Sequence, residues 1–492
     1  MSALLSLPAR LGCGRLALLG LSTLVFCNPG WSAPAGQPLP AEVATALARA
    51  RVPRDAVSFV VAPVDGQRAP RLAHRAQVDM NPASVMKLVT TYAALDLLGA
   101  DYTWKTRFYA DGPVANGVLQ GNLYVRGGGD PKLVLERIDQ TFKTLQARGV
   151  QQVRGDMVLD HSYFEPINRD PAEFDGEPLR PYNSTPDALL VNFKSLIFTL
   201  TPDANGKTAT VKSEPPIADV QIDASVPLSP QACGDWRAGL QADFADPNRV
   251  RFAGPYPASC GERVWPVAYA DPASYSRRVL QAMFATAGGS LSGSARDGKV
   301  PTQARWLMDA PSLPLSDIIA DVNKFSNNVM AQQLFLTLSA NSRGVGTLEG
   351  SRSVITAWWP RAVGSDVPSP NIENGSGLSR DEHTSAHALA ALLQRAARHP
   401  QAAVFANSLA VAGVDGTVSR MGSQAGIKEA LGNAQLKTGS LRDVASVAGY
   451  VNGRSGQRYV VVGIVNHPLA SAARPALNAL VEWAAQDRPK DQ

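Results

Sequence analysis

The segment NPASVMKLVTTYAALDLL, residues 81–98, constrains this chain more than any other. Val85, Met86, Leu88, Val89, Ala93, Ala94, Leu95, Leu97 and Leu98 cover nearly every side of the helix that this spacing predicts, and a helix apolar all round is buried. Asn81 can cap it and Pro82 fits its first position, which puts Ser84 in the first turn. Lys87 follows at i+3 on the same face, poorly solvated and within hydrogen-bond reach of Ser84. A serine hydroxyl is a weak nucleophile unless a base stands beside it, and a lysine becomes that base when burial or another cation lowers its pKa. The first turn adds N–H donors that favour an oxyanion. The plainer alternative is a lysine that snorkels to the surface.

At 492 residues and 52.1 kDa the chain can bury two or more cores around such a helix. Residues 1–35 have the pattern of a secretory signal: Arg10 and Arg15, an apolar run from Leu16 to Phe26, then Ala33-Pro34-Ala35. Neither Cys13 nor Cys27 fits a lipoprotein signal, so the expectation is an exported protein, periplasmic or at the cell surface. Loss of the two arginines takes the formal charge from +5 to +3, too mild for nucleic-acid binding and suited only weakly to an anionic wall or membrane surface. The mature chain keeps Cys233 and Cys260, which in an exported protein read as a disulfide, with two buried thiols as the alternative.

Along the chain, a short helix at Pro38 to Ala50 and a buried strand at Val57 to Val64 precede the Ser84 helix. From about Tyr102 short β-like runs take over, with a helix near Leu133 to Arg148 and a strand at Met157 to Asp160. Residues 165–265 are rich in Pro, Asp, Asn and Gly and read as a loop-rich nested unit. Helices are expected at Ser274 to Ala287, Leu315 to Leu338, Thr384 to Arg398 and Ser471 to Gln486, with strands at Gln435 to Leu441, Ala445 to Val451 and Arg458 to Val465.

Three stretches carry chemistry in a fixed order: Ser84-Val85-Met86-Lys87, Ser326-Asn327-Asn328 in a polar break between helical patterns, and Lys437-Thr438-Gly439-Ser440 on a strand. S-x-x-K, a serine-x-asparagine element and K-T-G together are the parts of penicillin-binding proteins and class A β-lactamases. A second ammonium at Lys437 would disfavour charge on Lys87, Ser326 would relay a proton, and Asn328 would bond a substrate amide and hold Lys87. Thr438 would bond a terminal carboxylate, Gly439 would let a substrate backbone approach, and the N–H groups of Ser84 and Ser440 would form an oxyanion hole. The plain reading is a solvated loop cluster for Ser326 and Asn328 and a strand-end lysine for Lys437.

With these motifs the sequence resembles the class C low-molecular-mass penicillin-binding proteins, D-alanyl-D-alanine carboxypeptidases and endopeptidases of the penicillin-binding protein 4 type. Gly127-Gly128-Gly129-Asp130-Pro131, Asp160-His161-Ser162-Tyr163-Phe164, Asn374-Gly375-Ser376-Gly377-Leu378-Ser379-Arg380 and Gly413-Val414-Asp415-Gly416-Thr417 are similar to that family's recurring stretches, although Glu373-Asn374 stands where an Asp is frequent. The resemblance implies an α/β (α+β) fold, a transpeptidase-like α/β/α catalytic domain of residues 36–98 and 300–492. An inserted domain of residues 99–164 and 266–299 would split it and carry the nested unit. It also implies a serine-bound acyl-enzyme with peptidoglycan stem peptides, acylation by β-lactams, and no metal or cofactor. Asp160 and Arg380 are expected to border the cleft and read the charged side chain of the stem peptide. A β-lactamase and a wall-binding scaffold without turnover are the competing readings. His383 and His387 have a zinc-compatible i, i+4 spacing on a predicted helix but lack the H-E-x-x-H glutamate, so a solvated helix start explains them better.

Overall fold

A computed structural model of the chain describes residues 38–424 and 426–487, so the expected export signal lies outside the described residues. Six strands form a central sheet: β1 (Val57–Pro63), β2 (Leu72–His74), β3 (Ala410–Val411), β4 (Ala434–Leu441), β5 (Val444–Asn452) and β6 (Arg458–Asn466). Their spatial order is β2-β1-β6-β5-β4-β3, with every pair antiparallel. Successive side chains of a strand point to opposite faces, and every residue of β1 is buried, so the sheet needs a layer on each side. Val60 and Ala62 share one core with Val460, Val462 and Ile464, whereas Val57, Phe59 and Val61 share another with Val461 and Val465.

Helices supply those layers: α1 (Ala41–Ala50), α2 (Lys87–Leu98), α3 (Leu315–Phe325), α4 (Asn328–Arg343), α5 (Ala386–Ala396) and α6 (Arg474–Ala485). α1 and α6 close the second core, while α2 to α5 build the first around Tyr92, Leu334 and Leu389. The product is an α/β/α sandwich with α2 buried as its apolar circumference requires. The helix expected from Thr384 begins at Ala386, because Thr384–Ser385 pair as a short strand with Asp79–Met80. Among the described residues no helix is long and apolar enough to cross a membrane.

Between α2 and α3 the chain builds two further five-stranded sheets. The first runs Ala295–Asp297, Met157–Asp160, Leu123–Arg126, Lys105–Ala110, Arg305–Pro311; the second, within residues 195–268, is flanked by the Cys233–Cys260 disulfide. The last strand of the first sheet pairs Arg305 with Ala110 and buries Met308 and Ala310 in its core, so this sheet runs past residue 299, where the catalytic part was expected to resume. One continuous core joins Phe108 and Leu159 of the first sheet to Phe198 and Val267 of the second. Residues 161–194 cross back to α4, where Phe164 and Ala188 pack on Leu336 and Ala340 and the Gln333 amide bonds Asp187 backbone groups in both directions. That crossing brings residues 173–182 over the edge of the sandwich.

Candidate active site

Pro82 and Ala83 decide how Ser84 is presented. Ala83 has φ +47°, its N–H bonds the Asn81 Oδ1 at 2.8 Å, and a 3₁₀ turn, Ala83–Met86, leads into α2. The expected first α-helical turn capped by Asn81 is therefore corrected: a left-handed residue cannot continue a right-handed helix, and Ser84 sits one tight turn ahead of it. The turn still aims Ser84 and Lys87 at each other.

Lys87 is fully buried, and its Nζ donates to Ser84 Oγ at 2.8 Å, to Asn328 Oδ1 at 2.7 Å and to the Ser376 carbonyl. Burial pushes its pKa down to about 7, with the Glu382 carboxylate opposing that shift. Ser326 ends α3 in the left-handed region, Asn327 caps α4 by accepting the Met330 N–H, and Asn328 opens α4, which explains the polar break between two helical patterns. Lys437, also fully buried, donates to Ser326 Oγ at 2.8 Å and to the Thr438 carbonyl at 2.6 Å. Burial and then the charge of Lys87 hold Lys437 well below the ordinary lysine range. Removal from water is the larger cause for both lysines, and the repulsion between their ammonium groups acts on each of them.

β3 pairs with β4 only at Gln435 and Leu436, so among the described residues the outer backbone edge of β4 beyond them has no strand partner. Gly439 is needed on its inner side: a Cβ there would lie 2.3 Å from Ser446 Oγ, 2.6 Å from the Pro82 carbonyl and 2.9 Å from the Ser84 nitrogen. Gly377, at φ +77°, makes a similar approach, since a Cβ would meet the Ala83 carbonyl at 2.0 Å. Both glycines let neighbouring backbone close around the Ser84 turn without covering it. Thr438 Oγ1 bonds Thr417 Oγ1 at 2.8 Å, and Ser440 Oγ accepts from Arg474 at 3.2 Å.

Ser84, Ser326, Asn328, Arg380 and Ser440 line one open cleft of about 710 Å³, whose far wall is Phe174, Asp175 and Tyr182. Arg380 pairs with Asp443 and lies 5.1 Å from the Phe174 ring centroid. Asp160 does not reach this cleft. Its carboxylate is buried in the adjoining sheet, accepting the Ser162 and Val300 N–H groups at 2.9 and 3.0 Å beside Arg126, so its charge holds a strand end together. His383 is exposed in a bridge with Asn371 and His387 is buried in α5, which corrects the shared solvated helix expected for them. Among the described residues no three His, Cys, Asp or Glu side chains are placed to hold a metal.

Sequence reasoning missed the Ser376 carbonyl on Lys87, because a backbone acceptor has no residue-type signal. It also missed Glu382, whose buried Oε1 accepts the Glu373, Asn374 and Gly375 N–H groups and so shapes the loop that delivers Ser376. The Tyr182 carbonyl on Asn328 Nδ2, at 3.1 Å, comes from the distant crossing segment.

Comparison with known proteins accords with this arrangement. Residues 39–487 match the model of the D-Ala-D-Ala carboxypeptidase 3 (S13) family. A D-alanyl-D-alanine carboxypeptidase of Actinomadura sp. (strain R39) is 29% identical over 434 residues, 83% of this chain and 78% of that protein. The crystal structure of penicillin binding protein 4 (dacB) from Haemophilus influenzae covers 89% of this chain and 99% of its own, with a TM-score of 0.72 at 23% identity, and shares the fold. A second structure of that protein, complexed with a novel β-lactam, covers 90% and 100% with a TM-score of 0.68 at 22% identity. With nearly its whole described length matched, the chain belongs to the D-Ala-D-Ala carboxypeptidase 3 (S13) family.

Proposed function

We propose that this chain is an exported serine D,D-peptidase that cleaves the bond after a D-alanine in peptidoglycan stem peptides, both at D-Ala-D-Ala termini and at cross-links. The observation that carries the reading is the buried Lys87 Nζ, 2.8 Å from Ser84 Oγ and depressed to about 7, a base poised beside a nucleophile. Ser84 Oγ attacks the D-alanine carbonyl as its proton passes to Lys87, and the N–H groups of Ser84 and Ser440 receive the oxyanion. The C–N bond then breaks, the departing nitrogen takes a proton through Ser326 and its Lys437 partner, and an ester remains on Ser84. Water repeats the sequence and frees the acid. Asn328 holds Lys87 and offers its amide to the substrate, Thr438 binds the terminal carboxylate, and Arg380 reads the stem peptide from the cleft wall.

A β-lactam would acylate the same Ser84, and the precedent of a β-lactam complex among proteins of this fold supports it. The test is release of free D-alanine from a peptide ending in D-Ala-D-Ala. Release by the wild type and none by Ser84→Ala supports the reading; equal release by both rejects it.

A further inference from the structure

On the α6 side of β4 lies a groove of about 390 Å³ that the proposed chemistry touches only at Thr438 and Ser440. Alternation along β4 turns Lys437 toward α2 and turns Leu436, Thr438 and Ser440 toward this groove, where they meet Ala445 and Val447 of β5. Opposite stand Arg420 and Met421 of the 3₁₀ segment Gly416–Ser423 and Arg474 and Leu477 of α6. No carboxylate lines the groove, and among the described residues neither Arg420 nor Arg474 has an acidic partner; Arg474 donates only to Ser440. A hydrogen bond from Asn478 to Gln424 crosses its far end.

Ser440 belongs to both cavities, so the groove begins where the catalytic cleft ends. On the reading above, on which this inference rests, Thr438 holds the carboxylate of the residue that departs. One alanine ends at Thr438 and leaves the rest of the groove, beside Arg420, unfilled. Two guanidinium groups without anionic partners, over an apolar floor of Val418, Met421, Leu436 and Leu477, match an extended ligand with a further carboxylate.

We propose that this groove is a second subsite of the same centre, in which Arg420 and Arg474 bind an additional carboxylate of the peptide departing from the acyl-enzyme, as the acceptor strand of a cross-link would supply. It makes Arg420 a specificity residue for long, anionic leaving peptides. Ester formation and C–N cleavage are unchanged, and the departing amine still takes its proton in the cleft.

The experiment uses the mature protein and three peptides with one acyl half: one releasing D-alanine, one releasing a diamino-acid peptide with two carboxylates, and the same peptide with its second carboxylate amidated. Wild type is expected to prefer the dicarboxylate over its amide by about tenfold in kcat/KM, carried mainly by KM. Arg420→Ala should bring that ratio close to one and Arg420→Lys should restore part of it, while Lys143→Ala, an exposed charge elsewhere, keeps the wild-type ratio. A wild-type ratio within about twofold of one, a ratio insensitive to Arg420, or no cleavage of either long peptide by protein that releases D-alanine overturns the subsite alone. Absence of D-alanine release together with absence of acylation at Ser84 overturns the parent reading.

Discussion

Lys87 makes the sharpest kinetic prediction. An ordinary lysine at 10.5 is unprotonated at pH 7 in about one molecule in 3000, whereas at about 7 roughly half the molecules carry the free base. Burial therefore raises the supply of base by about a thousandfold at neutral pH. Only the neutral amine can accept the Ser84 proton, so the second-order rate constant for acylation should rise with pH, with a midpoint about 7, and level off above it. Stopped-flow fluorescence with a labelled penicillin, from pH 5 to 10, measures it directly. Lys87→Arg keeps the charge and much of the bulk but cannot deprotonate, so the rate should fall by about 10²–10⁴ and the limb near 7 should vanish. Retention of acylation within about tenfold by Lys87→Arg, or a wild-type rate still climbing toward pH 10, would refute the assignment of Lys87 as base.

Other substitutions test the architecture. Gly439→Ala forces a methyl against the Pro82 carbonyl and Ser446, so acylation and thermal midpoint should both drop, by about 1–3 kcal/mol in stability on denaturant titration. Hydrogen bonds to Asp187 and Asp297 outweigh the burial of His161 and pull it up to about 9, so the folded state keeps a proton that the unfolded chain releases between about 6.5 and 9. Its contribution is complete below 6.5 and is lost as pH rises through 9; with the side chain 29% exposed, His161→Asn should cost about 2–3 kcal/mol at pH 6 and little at pH 9.5. The Cys233–Cys260 bridge spans 27 residues, so the double serine variant should lose about 3–4 kcal/mol on the loop-entropy model, measured on the inserted unit, with Ser84 acylation retained.

The sequence was most readable where chemistry and packing both act locally. The all-round apolar pattern of residues 85–98 required a buried helix, and the three motifs fell on the 3₁₀ turn, the helix junction and the strand that hold Ser84, Ser326 and Lys437 together. Reading failed where long-range pairing decides. Asp160 looked like a charge leading into the cleft, yet its orientation is set by Val300, 140 residues away in sequence. The strand at Arg305–Pro311 joins the inserted sheet because its register with Lys105–Ala110 buries Met308, which no local pattern encodes. Gly439 and the Ser376 carbonyl belong to the same class: one is a clearance and the other a backbone acceptor, and both appear only when distant segments meet.

As the nucleophile, Ser84 becomes covalently acylated, and intact mass of the purified protein with benzylpenicillin, followed over time beside Ser84→Ala, reads that bond. A persistent adduct of one penicillin is expected on the wild type and none on the variant. Rapid return to the free mass, marking a β-lactamase, an adduct that survives Ser84→Ala, or no adduct at all would contradict it.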